Sequence, residues 1–282
     1  MAVYRDEGIV LKTVKLGEAD RIVTILTQRH GKVRAVAKGV RRTKSRFGGR
    51  LEPFMRADLL LAEGRTFETV SQAVTIAQYG GPITADYDAF TAASTVVETA
   101  NDLVAAEKEP APAQYRLVIG ALNALAKHRH DSRAIALSYV MRALAAAGWT
   151  PLIDRCVVCG GAERLDFFSA RSGGAMCFAD HTPDARHVSA EVLRELRALL
   201  EGDWDLLDRL GGAAIPTDAS AATGSAVITT AATSPAATSP ELAGGNGIAA
   251  PVSTLDPQTV TIVEDWAEAV LERPLRSMRV LG

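Results

Sequence analysis

At about residue 86 the hydrophobic period of this chain changes from two to between three and four, so one type of element cannot build the whole fold. Before that point, Glu7–Lys15, Arg21–Thr27, Lys32–Lys38, Phe54–Leu61 and Phe67–Ile76 are β-branched or alternate polar with apolar positions, and His30-Gly31 supplies a turn. Five short strands fit a small Greek-key barrel, an OB-fold, although an SH3-like barrel matches the periodicity almost as well. Beyond the change, Phe90, Ala93, Val97, Ala100 and Val104 step at helical spacing. Tyr115, Val118, Ile119, Leu122 and Leu125 do the same, as do Leu137, Val140, Met141, Leu144 and Ala145. Gly148 is placed to stop the last of these, and Ser189 to cap a helix through Val192, Leu196 and Leu199.

The chain is therefore expected to be α+β. An N-terminal OB-fold barrel over residues 1–80 is followed by a helical domain over 81–210 and 256–282, with a zinc-ribbon-like insertion at 154–187. Between these parts, 35 of the 45 residues in 211–255 are Gly, Ala, Ser, Thr or Pro, and Ala-Ala-Thr-Ser-Pro occurs twice in succession. Such a segment buries too little apolar surface to offset its ordering entropy and reads as a disordered linker. Asp256-Pro257 then opens a helix with Val260, Val263, Trp266 and Val270 on one face.

Charge is unevenly distributed. Residues 1–56 hold 14 Lys and Arg against 5 Asp and Glu, whereas the whole chain carries a net −2. This is the pattern of a polyanion-binding module attached to something else. Lys38, Arg41, Arg42, Lys44, Arg46 and Arg50 occupy one stretch with no acidic residue, and Gly39, Gly48 and Gly49 let it follow a phosphate backbone. Lys32 and Arg34 project from one face of the preceding strand, and Phe47 is the one aromatic expected to be exposed for base stacking, with a loop anchor tucked against the barrel as the equal alternative. A solvated charged hairpin is the plainer reading of the same residues.

Cys156-x2-Cys159 and Cys177 have the spacing of a metal knuckle, with Phe167-Phe168 to Gly173-Gly174 as its hairpin. His181 is the favoured fourth ligand and Asp180 the alternative, with a degenerate, metal-free site also open; any zinc would be structural. His-x-Glu, His-Glu-x-x-His, a P-loop and a nucleophile elbow are all absent, so a non-enzymatic protein is expected. The other histidines, His30, His128, His130 and His187, read as surface residues. No run of 18 apolar residues and no apolar leader occur, which predicts a cytoplasmic protein with no membrane partner.

Several segments occur in an order that resembles one family. They are Gly8-Ile-Val-Leu, Gly17-Glu-Ala-Asp-Arg-Ile-Val-Thr, His30-Gly-Lys, Ala37-Lys-Gly-Val-Arg-Arg, Gly148-Trp-Thr-Pro-Leu-Ile-Asp-Arg-Cys-Val-Val-Cys-Gly and Leu275-Arg-Ser-Met-Arg-Val-Leu. Together they resemble the RecO family of bacterial recombination mediators. The resemblance implies an OB-fold, a helical domain and a zinc ribbon that has four cysteines in many members. It implies binding of single- and double-stranded DNA, annealing of complementary strands and a place in the RecFOR pathway of DNA damage repair. The partners implied are RecR, the C-terminal tail of single-stranded DNA-binding protein and, indirectly, RecA. By position, Lys38, Arg41, Arg42, Lys44 and Arg46 fall in the family's DNA-binding loop, and Cys156, Cys159 and Cys177 on three zinc ligands, with Asp180 in the fourth place. An OB and zinc-ribbon adaptor that binds nucleic acid without annealing is the competing expectation.

Overall fold

The computed structural model describes residues 2–210 and 255–281. Five strands, β1 (Val3–Leu16), β2 (Asp20–Thr27), β3 (Gly31–Ala37), β4 (Met55–Ala62) and β5 (Glu68–Gln78), close into a barrel in the order β1-β2-β3-β5-β4. β1 is antiparallel to both β2 and β4, and β3 joins β5 through a short parallel pairing at Ala35–Glu68 and Val36–Thr69. That order is the OB-type Greek key and removes the SH3-like alternative. A bulge between Val10 and Lys12 bends β1, so that its first half pairs with β4 and its second with β2.

Alternation places Val10, Val23, Ile25, Val33, Ala35, Leu59, Leu61 and Val70 inside the barrel. Ile9, Leu11 and Leu26 point the other way, into a second and larger core shared with the helices. Those helices are α1 (Gly80–Thr84), α2 (Tyr87–Leu103), α3 (Pro112–Ala126) and α4 (Ser132–Ala146), then α5 (Ala190–Glu201), α6 (Trp204–Leu210), α7 (Pro257–Leu271) and α8 (Met278–Leu281). Side-chain caps fix several starts: Asp86 accepts from the amide of Ala89, Asp131 from Ala134, Ser189 from Val192 and Asp256 from Gln258. Gly148, at φ +98°, lies just beyond the end of α4. α4 is the central helix, packed by α2, α3, α5 and α7, and is buried on nearly every face. Between α4 and α5 a small sheet forms, β6 (Leu165–Ser169) flanked by β7 (Gly174–Cys177) and β8 (Arg186–His187). The linker expected over 211–255 lies, Leu255 apart, outside the described residues.

Two sets of contacts fasten barrel to helices. Glu7 accepts hydrogen bonds from the Arg56 guanidinium at 2.6 Å and from the Tyr115 hydroxyl of α3. The segment after α2 lies along β3, where the Lys108 amide donates to the Lys32 carbonyl at 2.9 Å. At Gly31, φ +67°, a Cβ would lie 1.7 Å from the Glu109 carbonyl oxygen, so only glycine permits this approach.

Inside the barrel mouth, the Asp6 side chain is wholly buried. It accepts from the amides of Glu7, Arg29 and His30 and lies 2.6 Å from His30 Nδ1. His30 is thus half-exposed and tied down, not a free surface residue. His130 departs from expectation further, stacking on Trp204 at 4.3 Å and pairing with Asp208 at 2.8 Å. The partners of His130 lie more than 70 residues away, so no local signal marks its pairing.

Burial pushes the Asp6 carboxyl up, but hydrogen bonds from His30, Arg29, Thr27 and Glu7 outweigh it and hold the pKa below the ordinary value. A depressed folded-state pKa contributes stability above the unfolded value, about 3.9, and loses it as pH falls through the folded one. Asp6→Asn is therefore expected to cost about 2–4 kcal/mol in urea unfolding at pH 7. The gap to wild type should narrow as pH falls below about 4. A gap unchanged at pH 2.5 would refute this account.

Candidate nucleic-acid interface and metal centre

The basic stretch leaves the barrel after β3 as a series of turns, continues into a 3₁₀ turn at Gly48–Leu51 and returns to β4. The Asp20 carboxylate accepts from the Gly39 amide at 2.7 Å, and the Arg41 amide donates to the Ala19 carbonyl at 3.0 Å. These bonds anchor the loop to the β1–β2 turn. The Arg41 guanidinium reaches the carbonyls of Gly17 and Glu18, and that of Arg50 reaches those of Arg46 and Phe47. Lys38, Arg41, Arg42, Lys44, Arg46 and Arg50 are all exposed. None of the six pairs with a carboxylate among the described residues, whereas Arg21 beside them pairs with Glu52 at 2.6 Å. The loop therefore presents charge without an internal counter-ion, as a surface that exchanges small ions for phosphates does.

Three other residues of the expected site are placed differently. Phe47 is buried, 1% exposed, in the barrel core with Leu51, and the Arg46 guanidinium lies over its ring at 4.8 Å. It is a loop anchor, not a stacking aromatic, because its ring packs among the apolar side chains inside the barrel. Lys32 and Arg34 do share a face of β3, but the segment after α2 lies along it and covers Lys32, while Arg34 stays exposed beside Glu107. Lys32 is 9% exposed and donates to the Asn101 carbonyl at 2.9 Å. Burial lowers its pKa, and Glu107 and Asp102 oppose this only in part. Arg34 pairs with Glu107 and lies over the Phe67 ring at 5.1 Å. Sequence alternation identified the face; it could not show that another part of the chain would cover it.

In the insertion, two turns converge. The Gly160 amide donates to the Cys156 carbonyl at 2.9 Å, closing the first knuckle, and the Asp180 amide donates to the Cys177 carbonyl, closing the second. Sγ of Cys156, Cys159 and Cys177 and a carboxylate oxygen of Asp180 all lie within 4.8 Å of one another. Cys177 Sγ is 3.1 Å and Cys156 Sγ 3.6 Å from Asp180 Oδ2, and Cys159 and Cys177 sulfurs are 3.9 Å apart. A tetrahedral ion about 2.3 Å from sulfur has ligand atoms about 3.8 Å apart, so these four groups fit a metal. His181 is not among them. Its Nδ1 bonds the Phe178 carbonyl at 2.7 Å, and its ring stacks on Phe167 at 4.0 Å. Position i+3 of the Cys177 turn faces the sulfurs and i+4 does not, so the favoured fourth ligand is replaced by the alternative, Asp180.

Charge crowding agrees with that arrangement. Burial raises the Cys156 thiol, but amides of Cys159, Cys177 and Val158 outweigh it and bring its pKa below the ordinary value. Cys159, bonded to Asp180, is pushed up to about 12, while bonds from Cys159 and Cys177 lower the Asp180 carboxyl. Three sulfurs and a carboxylate cannot all be negative at this spacing without a cation among them.

The chain matches two family models, "Recombination protein O N terminal" over residues 1–79 and "Recombination protein O C terminal" over residues 84–224. It is 54% identical over 281 residues to the DNA repair protein RecO of Bifidobacterium animalis subsp. lactis, covering the whole of both chains. It is 47% identical over 211 residues to the RecO protein of a Nocardioides species, 73% of this chain and 86% of that one. The RecO protein of Streptomyces avermitilis is 45% identical over 214 residues, 74% of this chain and 86% of that one. Among the described residues no helix is long and apolar enough to cross a membrane.

Elemental analysis of protein purified without chelator is expected to find about one metal per chain. Asp180→Ala should lower this below about half, while His181→Ala leaves it unchanged. Retention in the first variant with loss in the second would overturn the assignment.

Proposed function

The chain belongs to the RecO family of DNA repair proteins, and on that premise we propose that it binds single- and double-stranded DNA through the 38–50 loop and anneals complementary strands. The observation that carries this reading is the set of six exposed cations on an anchored loop, none of them neutralised by a carboxylate among the described residues. Annealing needs no catalytic group. It needs a cationic surface that lowers the repulsion between two phosphate backbones while leaving base edges free to pair, and flexible Lys and Arg side chains supply that. The expected partners are RecR and single-stranded DNA-binding protein, with RecA loaded at gaps as the outcome.

For the C-terminal tail of single-stranded DNA-binding protein we propose a groove of about 690 Å³ between α3, α4 and the α5–α6 corner. Leu117, Ile135 and Trp204 give it an apolar floor, and Arg116, Arg129 and Arg142 add positive charge. The metal proposed for the cysteine cluster is Zn²⁺. Thiolates select it, all four positions come from protein, and its role is to hold two short turns together.

The test is annealing of complementary oligonucleotides coated with the cognate single-stranded DNA-binding protein. Wild type is compared with a variant carrying Ser at Arg41, Arg42, Lys44 and Arg46. Wild type should anneal well above the spontaneous rate and the variant should not. For about five neutralised phosphates, log K against log salt on single strands should slope about −3 to −4, and the variant should be shallower by about 2–3. Binding without annealing would favour an adaptor, and a salt-independent affinity would remove the loop from the site.

A further inference from the structure

With Phe47 buried, the DNA-binding loop offers charge but no ring; of the exposed aromatic hydrophobics among the described residues, Tyr87 and Phe90 lie on α2, Trp149 just after α4 and Phe178 on the cysteine-bearing insertion. Phe178 is 67% exposed, the most exposed phenylalanine in the described residues. It belongs to a cluster of four rings. Phe167 stacks on His181 at 4.0 Å with planes 10° apart, Phe178 lies 5.6 Å from His181 and 6.2 Å from Phe167, and His187 meets Phe167 edge-on at 5.4 Å. A single exposed ring is unremarkable on a protein surface; several rings held in a fixed orientation and left open are not.

The orientation is enforced. Cys177 and Asp180 occupy positions i and i+3 of their turn and face the other two sulfurs, which drives Phe178 at i+1 outward. The Phe178 carbonyl then accepts from Nδ1 of His181 at 2.7 Å, which locks the imidazole parallel to Phe167 and leaves Nε2 as an acceptor. His181 is itself exposed, so the Phe167–His181 stack is open at its outer end. Arg164, exposed and without an ion pair among the described residues, immediately precedes Leu165, the partner of Cys177 across the sheet.

We propose that Phe178 and His181, backed by Phe167, form a stacking platform for an unpaired base of single-stranded DNA. The inference rests on the DNA-binding reading above and assigns the base contact to a part of the chain distinct from the charged loop. A protein partner fits less well, because the large exposed apolar groups of the insertion are two, Phe178 and Val158 on the facing knuckle, and Phe178 is set among histidines rather than in a broad apolar patch. A base has the flat shape that extends an open stack, whatever its sequence.

The experiment uses the full chain and oligothymidylate with or without abasic sites, at equal length and charge, read by fluorescence anisotropy. A second oligonucleotide carrying 5-iododeoxyuridine is photo-crosslinked to wild type, and adducts are mapped after trypsin. The peptide of interest is Ser172–Arg186, which contains Phe178 and His181. Wild type should prefer the base-bearing strand by at least about fivefold and should cross-link on that peptide. Phe178→Ala should abolish the preference with the salt slope unchanged, and Phe178→Tyr should keep it. Metal content and melting are followed in both variants, and the cross-link is read on wild type in any case. Equal affinity for both strands with no adduct on that peptide would overturn the platform while leaving the charged loop intact. Weakened binding of RecR instead, with DNA binding unchanged, would overturn it in favour of protein docking. No binding of either strand by wild type would overturn the DNA-binding reading and the platform together.

Discussion

Strand β1 is buried on both faces between Gly8 and Leu11, and the joining of barrel to helices follows from that. Val10 faces the barrel interior; Ile9 and Leu11 face the helices. Each such side chain contributes about 1.5–3 kcal/mol on burial, so neither half of the molecule can let go of the strand cheaply. Side-chain alternation then dictates which polar groups enter the interface. Glu7 shares the helix-side face with Ile9 and Leu11, which is why it meets Arg56 and Tyr115. Asp6 points the opposite way, into the barrel mouth, and needs three backbone amides and His30 to be held there.

Pairing within the barrel and along its joint with the helices decides which positive charges are left for a ligand. Of the 14 basic residues in positions 1–56, Arg5, Arg21, Arg29, Arg34 and Arg56 are spent on carboxylates, and Lys32 on the Asn101 carbonyl. The 38–50 loop keeps six of the rest in one place. The excess of nine positive charges read from sequence therefore describes the region correctly but overstates how widely it is presented. It is concentrated on one anchored loop, where a field acts on a polyanion most strongly.

Elements whose signal is local were legible before the fold was known. The five barrel strands, the caps at Ser189 and Asp256, the stop at Gly148 and the knuckle spacing depend on a few neighbouring residues, and all stand where the pattern put them. Side chains whose fate depends on a distant segment were not legible. Lys32 lost its exposure to residues 101–108, Phe47 to the barrel interior, and His130 to Trp204 and Asp208. α4 shows a weaker form of the same limit. Because it is covered on nearly every side, its apolar residues do not form a clean stripe, and periodicity alone marks a helix without showing that it is the central one.

The choice between Asp180 and His181 turns on one residue of register. A tight turn returns its fourth residue to face its first, so Cys177 and Asp180 look inward together, while His181 has already left the turn. Imidazole is the commoner partner of three thiolates, and that preference of ligand chemistry yields here to backbone geometry. The displaced histidine is not idle, because its ring fills the space beside Phe167 and its Nδ1 fastens the turn that carries two of the four clustered groups. One short sequence, Cys-Phe-Ala-Asp-His, therefore meets two demands at once. Its inward positions build the polar cluster, and its outward positions hold two rings in a fixed relation at the surface of the insertion.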